Sequence, residues 1–256
     1  MMTVGSEMRT CGKHGQYEAR VIEALGRVIT NTRCPRCEDD AAKAADRYAL
    51  AEAEEAKKRR VEALMRRASI PTRFKDKTFW NYEANEAGQE RALKIARAYA
   101  DAWDRVLAKG TSLIFSGAPG TGKTHLACAI ANRVIANGAS AVYSTVSDAL
   151  RSIRRAYEPG SGLSEGDAIN ALADPALLVL DEVGTDYGTD HSKVLLFDVL
   201  NKRYEQVRPT IILTNLDRDA LAGHLGERIM DRLREGGVMM VSFGWASYRV
   251  GQPDIA

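Results

Sequence analysis

The sequence predicts an α/β fold in which a central parallel sheet is flanked by helices. Short apolar segments alternate with longer segments whose apolar residues recur at helical spacing, as expected for strands joined by crossover helices. The middle segments are almost entirely apolar, which is typical of strands buried on both faces. A glycine-rich turn joins the first strand to the helix after it. The predicted strands span residues 113–116, 141–145, 177–180, 210–214 and 238–243.

Length and composition place the chain among ordinary globular proteins. Its 256 residues are enough for one large domain, or for a core domain with a small appendage. No apolar run approaches the roughly 20 residues that span a bilayer, and the N-terminus has no signal-peptide pattern. We therefore expect a cytoplasmic protein without membrane association. The net charge of +2 means that any nucleic-acid surface must come from local clustering of basic residues.

The glycine-rich turn, residues 117–124, has the composition of a phosphate-binding loop. Its three glycines allow positive φ angles, so that several backbone N–H groups converge on one anion. The helix that begins near Lys123 directs the positive end of its dipole at the same phosphates. We expect Lys123 to reach the β- and γ-phosphates of ATP and the Thr124 hydroxyl to hold Mg²⁺. The residues predicted to bind nucleotide are Gly117, Ala118, Pro119, Gly120, Thr121, Gly122, Lys123, Thr124 and His125.

Polar side chains follow two later strands. Asp181 and Glu182 come directly after segment 177–180, and Asn215 follows segment 210–214. In a nucleotide-hydrolysing site, one carboxylate at such a strand end holds Mg²⁺ through its water shell and the next polarises the attacking water. We expect Asp181 in the first role and Glu182 in the second. Asn215, at a strand end expected between the loop and the acidic strand, is predicted to orient the water or contact the γ-phosphate. The alternative is that Asn215 caps the next helix.

Cysteine and histidine residues near the N-terminus have the spacing of a structural zinc site. Two pairs, Cys-Gly-Lys-His and Cys-Pro-Arg-Cys, each separate their ligands by two residues. The predicted Zn²⁺ ligands are Cys11, His14, Cys34 and Cys37. The stretch between the pairs is expected to form a hairpin from 17–23 and 27–30, with its turn near residues 25–26. A redox pair is the alternative for the second cysteine pair, but no thioredoxin-like strand–helix unit surrounds it.

Residues 38–67 are rich in Ala, Glu, Lys and Arg and contain no Gly or Pro. This composition predicts a helix, which Pro71 should end. One interpretation is a solvated helix that separates two modules. The other is a helix that docks on a partner protein, or on a nucleic-acid backbone through the basic cluster 57–60. The predicted division is a zinc-binding module over 1–40, a charged helical connector over 41–70 and an α/β core over 71–256.

Two more helices are predicted in the core. Residues 86–109 have apolar positions at the spacing of one helix. A second helix, over 147–155, carries Arg151, Arg154 and Arg155 at helix-face spacing. A basic stripe on one face of a helix is a candidate contact for a nucleic-acid backbone. A solvated charged face is the alternative.

Several motifs, taken in order, resemble those of AAA+ ATPases. The phosphate loop, Asp181-Glu182-Val-Gly184 and Thr214-Asn215 resemble the two Walker motifs and sensor 1. Segments 70–74, 200–204, 225–233 and 245–249 narrow the resemblance to the bacterial helicase-loader family typified by DnaC and the related transposition helper ATPases typified by IstB. The resemblance covers nearly all of residues 70–250 and implies that 71–256 is an AAA+ ATPase domain. The N-terminal metal pair departs from the commonest family pattern and is similar to the zinc-bearing form of phage and prophage relatives.

The resemblance also implies roles for three arginines. Arg228 or Arg232 is the arginine finger that completes a neighbouring subunit's site, and Arg232 is favoured because it matches the second arginine of the family motif. The alternative is that one of this pair only forms an ion pair within its own helix. Arg249 is implied to be the sensor-2 arginine that touches bound nucleotide. The resemblance further implies that the helix over 147–155 is an extra helix lining the interior of the oligomer, where Arg151, Arg154 and Arg155 would contact single-stranded DNA.

These features together predict an ATPase that loads a replicative DNA helicase onto single-stranded DNA. It is expected to act as a homo-oligomeric ring or spiral with ATP between subunits, using ATP, Mg²⁺ and Zn²⁺. An IstB-like helper that recruits a transposase to DNA shares the core and is the first alternative, although the zinc pair and the charged helix favour a protein-docking module. A non-hydrolysing adaptor is the second, against which Glu182 and Asn215 argue. A small-molecule kinase is disfavoured, because no acceptor pocket or lid motif is evident.

Overall fold

The computed structural model describes residues 2–24, 27–30, 33–158, 160–185 and 190–248. The chain divides into two compact units, Met1–Arg59 and Arg60–Ala256. Each unit has its own sheet, antiparallel in the first and parallel in the second. The parallel sheet is the one that carries the predicted phosphate loop.

The first unit contains a three-stranded antiparallel sheet in the order β1-β2-β3. Its strands are β1 (Met2–Cys11), β2 (Gly15–Ala24) and β3 (Arg27–Thr30). The predicted hairpin is confirmed, because β2 pairs with β3 from Val21↔Thr30 to Ala24↔Arg27. The turn predicted at residues 25–26 lies outside the described residues. Strand β1 was not predicted, because its glycine and charged residues have low strand propensity.

A 33-residue helix, α1 (Pro35–Arg67), confirms the helix predicted over 38–67 and begins three residues earlier. Proline suits the first helical position, where its missing N–H would have no intrahelical partner. The helix ends before Pro71, as expected. The boundary between the two compact units falls inside α1, after Arg59. None of the helices in the described parts of the chain combines the length and the apolar character that crossing a bilayer requires.

The second unit alternates strands and helices along the chain. Its strands are β4 (Leu113–Gly117), β5 (Ala141–Thr145), β6 (Leu177–Val183), β7 (Thr210–Thr214) and β8 (Met239–Phe243). Its helices are α2 (Ala87–Asp101), α3 (Trp103–Lys109), α4 (Lys123–Ala136), α5 (Val146–Arg154), α6 (Glu165–Ala173), α7 (Asp190–Glu205), α8 (Arg218–Leu225) and α9 (Glu227–Glu235). Short 3₁₀ turns cover Thr72–Phe74 and Arg155–Tyr157.

The five strands found among the described residues of the second unit pair in parallel, in the order β5-β6-β7-β4-β8. The predicted α/β fold, with its central parallel sheet flanked by helices, is therefore confirmed. Strand β6 extends three residues beyond the predicted 177–180, so Asp181 and Glu182 lie within the strand rather than after it. Because parallel strands end at the same edge, the loop after β4, the carboxyl end of β6 and the polar residue after β7 meet there. Strand β7 lies between β4 and β6, which places Asn215 between the loop and the acidic strand end, as expected.

Helices cover both faces of this sheet. Alternate residues of β4 belong to different cores: Leu113 and Phe115 pack with α2, α3 and α4 on one face, and Ile114 packs with α5, α6, α7 and α9 on the other. The side chains of β7 are buried throughout, as predicted for a strand covered on both faces. The resulting three layers hold the strand ends in fixed positions.

The prediction of a single helix over 86–109 is wrong in one respect: the segment forms two helices, α2 and α3. The break is at Ala102, whose φ of −92° and ψ of 23° leave the helical region. Trp103 and Val106 are buried after this break. Residues 101–103 contain no proline or glycine, so the break has no local sequence signal and comes from tertiary packing.

Candidate nucleotide site and metal cluster

A cavity of about 500 Å³ opens at the carboxyl edge of the parallel sheet. The described residues that line it come from the loop, from the ends of β6 and β7, and from segments on either side of the core. They include Tyr82, Pro119, Gly120, Thr121, Gly122, Lys123, Thr124, His125, Asp181, Glu182, Thr185, Thr214, Asn215, Trp245 and Tyr248. The cavity therefore brings together the predicted loop, the acidic strand end and Asn215.

The loop backbone requires glycine at two close approaches. Gly117 has a φ of +150°, and a Cβ atom there would lie 2.3 Å from the carbonyl oxygen of Phe243. Gly122 has a φ of +93°, and its Cβ atom would lie 2.8 Å from Cε2 of Tyr82. The positive φ angles predicted for Gly117, Gly120 and Gly122 are confirmed. This backbone conformation lets successive N–H groups face one anion.

Lys123, the first residue of α4, is buried beneath the loop. Its Nζ donates hydrogen bonds to the carbonyl oxygens of Gly117 at 2.5 Å and Ala118 at 2.8 Å, and to Oδ1 of Asn215 at 3.0 Å. The ammonium group thus lies between the ends of β4 and β7, beside the groups expected to meet the nucleotide phosphates. Asn215 is exposed, and the side chain that caps α8 belongs to Asp217, which accepts from the N–H of Ala220 at 2.9 Å. The capping interpretation of Asn215 is therefore wrong.

Asp181 and Thr124 are adjacent. The Thr124 hydroxyl donates to Oδ2 of Asp181 at 2.9 Å, and the Tyr143 hydroxyl donates to the same oxygen at 2.8 Å. Burial and the charge of Asp181 raise the pKa of Tyr143, so Tyr143 remains a protonated donor. A hydroxyl and a carboxylate oxygen at this separation are the kind of hard ligands that Mg²⁺ takes. The two residues predicted to hold Mg²⁺ therefore fit that ion.

Glu182 occupies an irregular position in β6. Leu180 pairs with Ile212 and Val183 pairs with Thr214, so two residues of β6 face one residue of β7. Glu182 takes a φ of +62° in this bulge and is exposed. Its carbonyl oxygen accepts from the hydroxyl of Thr185 at 2.7 Å. Bulges of this kind redirect a side chain next to active sites, and a non-glycine residue at positive φ costs of the order of 1–3 kcal/mol.

His125, predicted to bind nucleotide, lines the cavity but is held by the protein. Its Nε2 lies 3.0 Å from the carbonyl oxygen of Thr78, and its ring meets that of Tyr82 edge-on at 5.1 Å. Burial lowers the pKa of His125. The ring therefore anchors the segment before α2 against α4.

The two candidate finger arginines lie on α9 in different surroundings. Arg228 is exposed, with its guanidinium carbon 5.9 Å from the ring of Phe197. Arg232 is partly buried, with its guanidinium carbon 5.2 Å from Phe197 and 5.3 Å from the ring of Tyr204. Its Nη1 is buried without a hydrogen-bond partner among the described residues. Neither residue belongs to the described lining of the cavity. Arg249, the predicted sensor-2 arginine, lies outside the described residues.

Helix α5 is amphipathic. Its apolar residues Leu150 and Ile153 are buried, whereas Arg151 and Arg154 are exposed, as is Arg155 in the 3₁₀ turn that follows. Arg151 pairs with Asp148 at 3.0 Å, and Nη2 of Arg154 donates to Oγ of Ser192 at 2.7 Å. The structure therefore brings the predicted basic residues to one surface, although two of the three also contact side chains of their own chain.

The four predicted metal ligands form one cluster in the first unit. One ligand atom from each of Cys11, His14, Cys34 and Cys37 lies within 4.8 Å of the others. Nδ1 of His14 lies 3.3 Å from Sγ of Cys37 and 3.7 Å from Sγ of Cys34. Hydrogen bonds from the backbone of Lys13 and His14 lower the pKa of Cys11 to about 6. Three thiols and one imidazole in this arrangement fit a tetrahedral structural Zn²⁺ site.

Three residues near these sites were not identified from the sequence. Tyr143 lies in strand β5, and in the sequence only its hydroxyl group distinguishes it from an ordinary core residue. Tyr82 packs on Gly122 from a segment without a recognisable motif. Asp40 Oδ2 lies 3.0 Å from Nε2 of His14 and 2.6 Å from Nζ of Lys13. A carboxylate on the second ring nitrogen is typical of metal-bound histidine, but the acidic run 38–40 does not show which residue provides it.

The parallel sheet, its phosphate loop and the polar strand ends define an AAA+ protein. The sequence profile of the family described as "IstB-like ATP binding protein" matches residues 35–252. The chain belongs to this family of DnaC/IstB-like AAA+ ATP-binding proteins, as the resemblance predicted.

Relatives and solved structures agree with this assignment. The chain is 38% identical over 199 residues to the uncharacterized protein YdaV of Escherichia coli K12, covering 77% of this chain and 78% of that protein. It is 37% identical over 190 residues to the replicative helicase loader DnaC of the same organism, covering 74% and 76%. A crystal structure of the DnaC helicase loader has a TM-score of 0.60 at 25% identity, covering 67% of this chain and 99% of the other. A structure of DnaI has a TM-score of 0.58 at 21% identity, covering 68% and 94%, which supports the fold.

Proposed function

We propose that this protein is an ATPase that loads a replicative DNA helicase onto single-stranded DNA. The observation that carries the ATPase assignment is the convergence of Lys123, Asn215, Thr124 and Asp181 at one edge of the sheet. The loader assignment is supported by the 37% identity to DnaC proteins, which are replicative helicase loaders. The residues matched by the family profile, 35–252, include the parallel sheet, the phosphate loop and the polar strand ends.

In the proposed mechanism, different side chains bind the phosphates, hold Mg²⁺ and activate the attacking water. Lys123 would meet the β- and γ-phosphates, and Thr124 and Asp181 would hold Mg²⁺, which neutralises phosphate charge when bound. Tyr143 keeps the Asp181 carboxylate oriented through its 2.8 Å hydrogen bond. Glu182, exposed in the bulge, would accept a proton from the attacking water. Asn215, which already contacts Lys123, would orient that water or the γ-phosphate.

The arginine finger is assigned to Arg228. An arginine that completes a neighbouring subunit's site must project from its own subunit, and Arg228 is exposed. Arg232 is held between Phe197 and Tyr204, so we infer that it positions α9. This reverses the preference for Arg232 that the family motif suggests. The assignment implies a homo-oligomer in which ATP sites are completed between subunits.

The remaining surfaces are assigned to partners. The Zn²⁺ cluster would stabilise the first unit, which is too small to have a large core of its own. We propose that residues 1–40 form a module that docks on the helicase, with 41–70 as its helical connector and 71–256 as the ATPase domain. The basic surface formed by Arg151 and Arg154 of α5, with Arg155 directly after it, would follow the single-stranded DNA backbone.

A transposition helper is the second candidate, because the family profile carries the IstB name. The two candidates share the ATPase core and differ in the protein that the first unit would bind. Capture of proteins from the source cell by the full chain, with Cys34→Ser as the matched bait, separates them. A replicative helicase lost from the variant supports the loader, and a transposase in its place supports the helper.

Phosphate release from ATP, with and without single-stranded DNA, tests the proposed activity directly. Wild-type protein is expected to release phosphate, and Glu182→Gln is expected to bind ATP without hydrolysing it. Glu83→Gln is a suitable control, since it makes the same change at another residue that lines the cavity. Nucleotide binding without hydrolysis under all conditions would favour the non-hydrolysing adaptor instead.

A further inference from the structure

The segment that follows β8 donates hydrogen bonds to the phosphate loop. Nε1 of Trp245 donates a hydrogen bond of 2.9 Å to the carbonyl oxygen of Thr121. The backbone N–H of Tyr248 donates one of 3.0 Å to the carbonyl oxygen of Gly120. Two successive carbonyl groups of the loop are therefore bound by one short segment, residues 245–248.

Trp245 is itself fixed in place. Its ring packs against that of Phe243, the last residue of β8, with centroids 4.8 Å apart. On another side it contacts the start of α2, where a Cβ atom on Gly88 would lie only 3.0 Å from its Cε3. The indole N–H is therefore a rigid donor rather than a mobile surface group.

Peptide geometry transmits this restraint to the N–H groups of the loop. In a planar trans peptide, the carbonyl oxygen and the following N–H point in opposite directions. Hydrogen bonds on the carbonyls of Gly120 and Thr121 therefore turn the N–H groups of Thr121 and Gly122 away from segment 245–248. N–H groups oriented in this way remain available to an anion, as a phosphate-binding loop requires.

We propose that Trp245 is a positioning residue that, with the Tyr248 backbone, sets two loop peptides for the phosphates before nucleotide binds. The proposal rests on the proposed function, because it takes ATP as the ligand. Such preorganisation strengthens binding by removing the cost of ordering the loop. It also couples the loop to the chain immediately before Arg249.

Trp245→Phe tests the proposal, since it keeps an aromatic ring while removing the N–H donor together with part of the indole surface. The affinities for Mg·ATP and for Mg·pyrophosphate are measured by titration calorimetry on the full chain. Loss of one hydrogen bond is expected to weaken both by about the same factor, roughly threefold to tenfold. Trp80→Phe is the matched control: Trp80 is 89% exposed, and its described contact is with Arg97 rather than the loop.

The outcomes separate this proposal from the proposed function. Wild-type protein that binds no ATP overturns the proposed function. If the wild-type protein binds ATP and the Trp245→Phe variant binds it with the same affinity, only the positioning role of Trp245 is overturned. Weaker binding of ATP but not of pyrophosphate also overturns it, because Trp245 would then contact the nucleoside. Should the variant not fold, amide exchange in nucleotide-free wild-type protein decides: protection of the Tyr248 N–H is expected, and unprotected exchange refutes the proposal.

Discussion

Arg228 and Arg232 are four residues apart on α9, and their different surroundings predict two separable effects of truncation. Arg232 stacks on two rings, at 5.2 Å and 5.3 Å. Each such contact contributes about 0.5–1 kcal/mol at a partly exposed site, so Arg232→Ala should lower the free energy of unfolding by about 1–2 kcal/mol. In a unit of this size that corresponds to a decrease in Tm of roughly 2–8 °C. Arg228→Ala should lower the free energy of unfolding by at most about 0.5–1 kcal/mol, because Arg228 is exposed and contacts one ring, at 5.9 Å.

Hydrolysis is expected to show the opposite order. Removal of an arginine finger commonly lowers the rate by a factor of about 10³ or more, so Arg228→Ala should retain ATP binding and lose most phosphate release. Arg232→Ala should retain more activity at temperatures where it remains folded. Arg234→Ala on the same helix is the control for removal of a positive charge. Thermal unfolding, nucleotide titration and phosphate release are measured on all three variants.

A mixing experiment then tests action between subunits. Arg228→Ala protein keeps an intact loop, and Lys123→Ala protein keeps an intact finger. Mixed oligomers contain some interfaces with both, so phosphate release should partly return although neither variant is active alone. No recovery between folded, co-assembling proteins would refute the shared site. The finger would be Arg232 instead if Arg232→Ala protein were inactive alone and regained phosphate release on mixing with Lys123→Ala protein, whereas Arg228→Ala protein did not.

Three further predictions concern the metal cluster and the loop. Purified protein should contain about one equivalent of zinc, and Cys34→Ser should lose it while ATP binding is retained; zinc-free wild-type protein purified without chelator would contradict this. Asp40→Asn should weaken zinc binding about tenfold to 100-fold in chelator competition, because the carboxylate orients the bound imidazole, whereas Asp39→Asn should not; equal effects would exclude a specific role for Asp40. Lys123→Ala should weaken ATP binding and Glu182→Gln should leave it intact while abolishing hydrolysis; equal losses of affinity would refute these roles.

Local sequence patterns were enough to predict much of the fold. The five strands, the long helix α1 and the hairpin between the metal-ligand pairs each have a composition or periodicity that is visible within a few residues. The break at Ala102 and strand β1 do not. The glycines at 117 and 122 were recognised from their spacing, but the Phe243 carbonyl and the Tyr82 ring that require them come from distant parts of the chain.

The sequence by itself determined which chemical groups the site contains, because a phosphate loop, an acidic strand end and metal-ligand pairs are defined by residue type and spacing. Only the tertiary structure decided how they are arranged. The strand order placed Asn215 beside Lys123, and the bulge placed Glu182 at positive φ. Contact with a second ring, that of Tyr204, distinguished Arg232 from Arg228. The contacts of Trp245 with the loop join residues 124 positions apart. Such contacts depend on how helices and strands pack, and spacing along the chain carries no record of that packing.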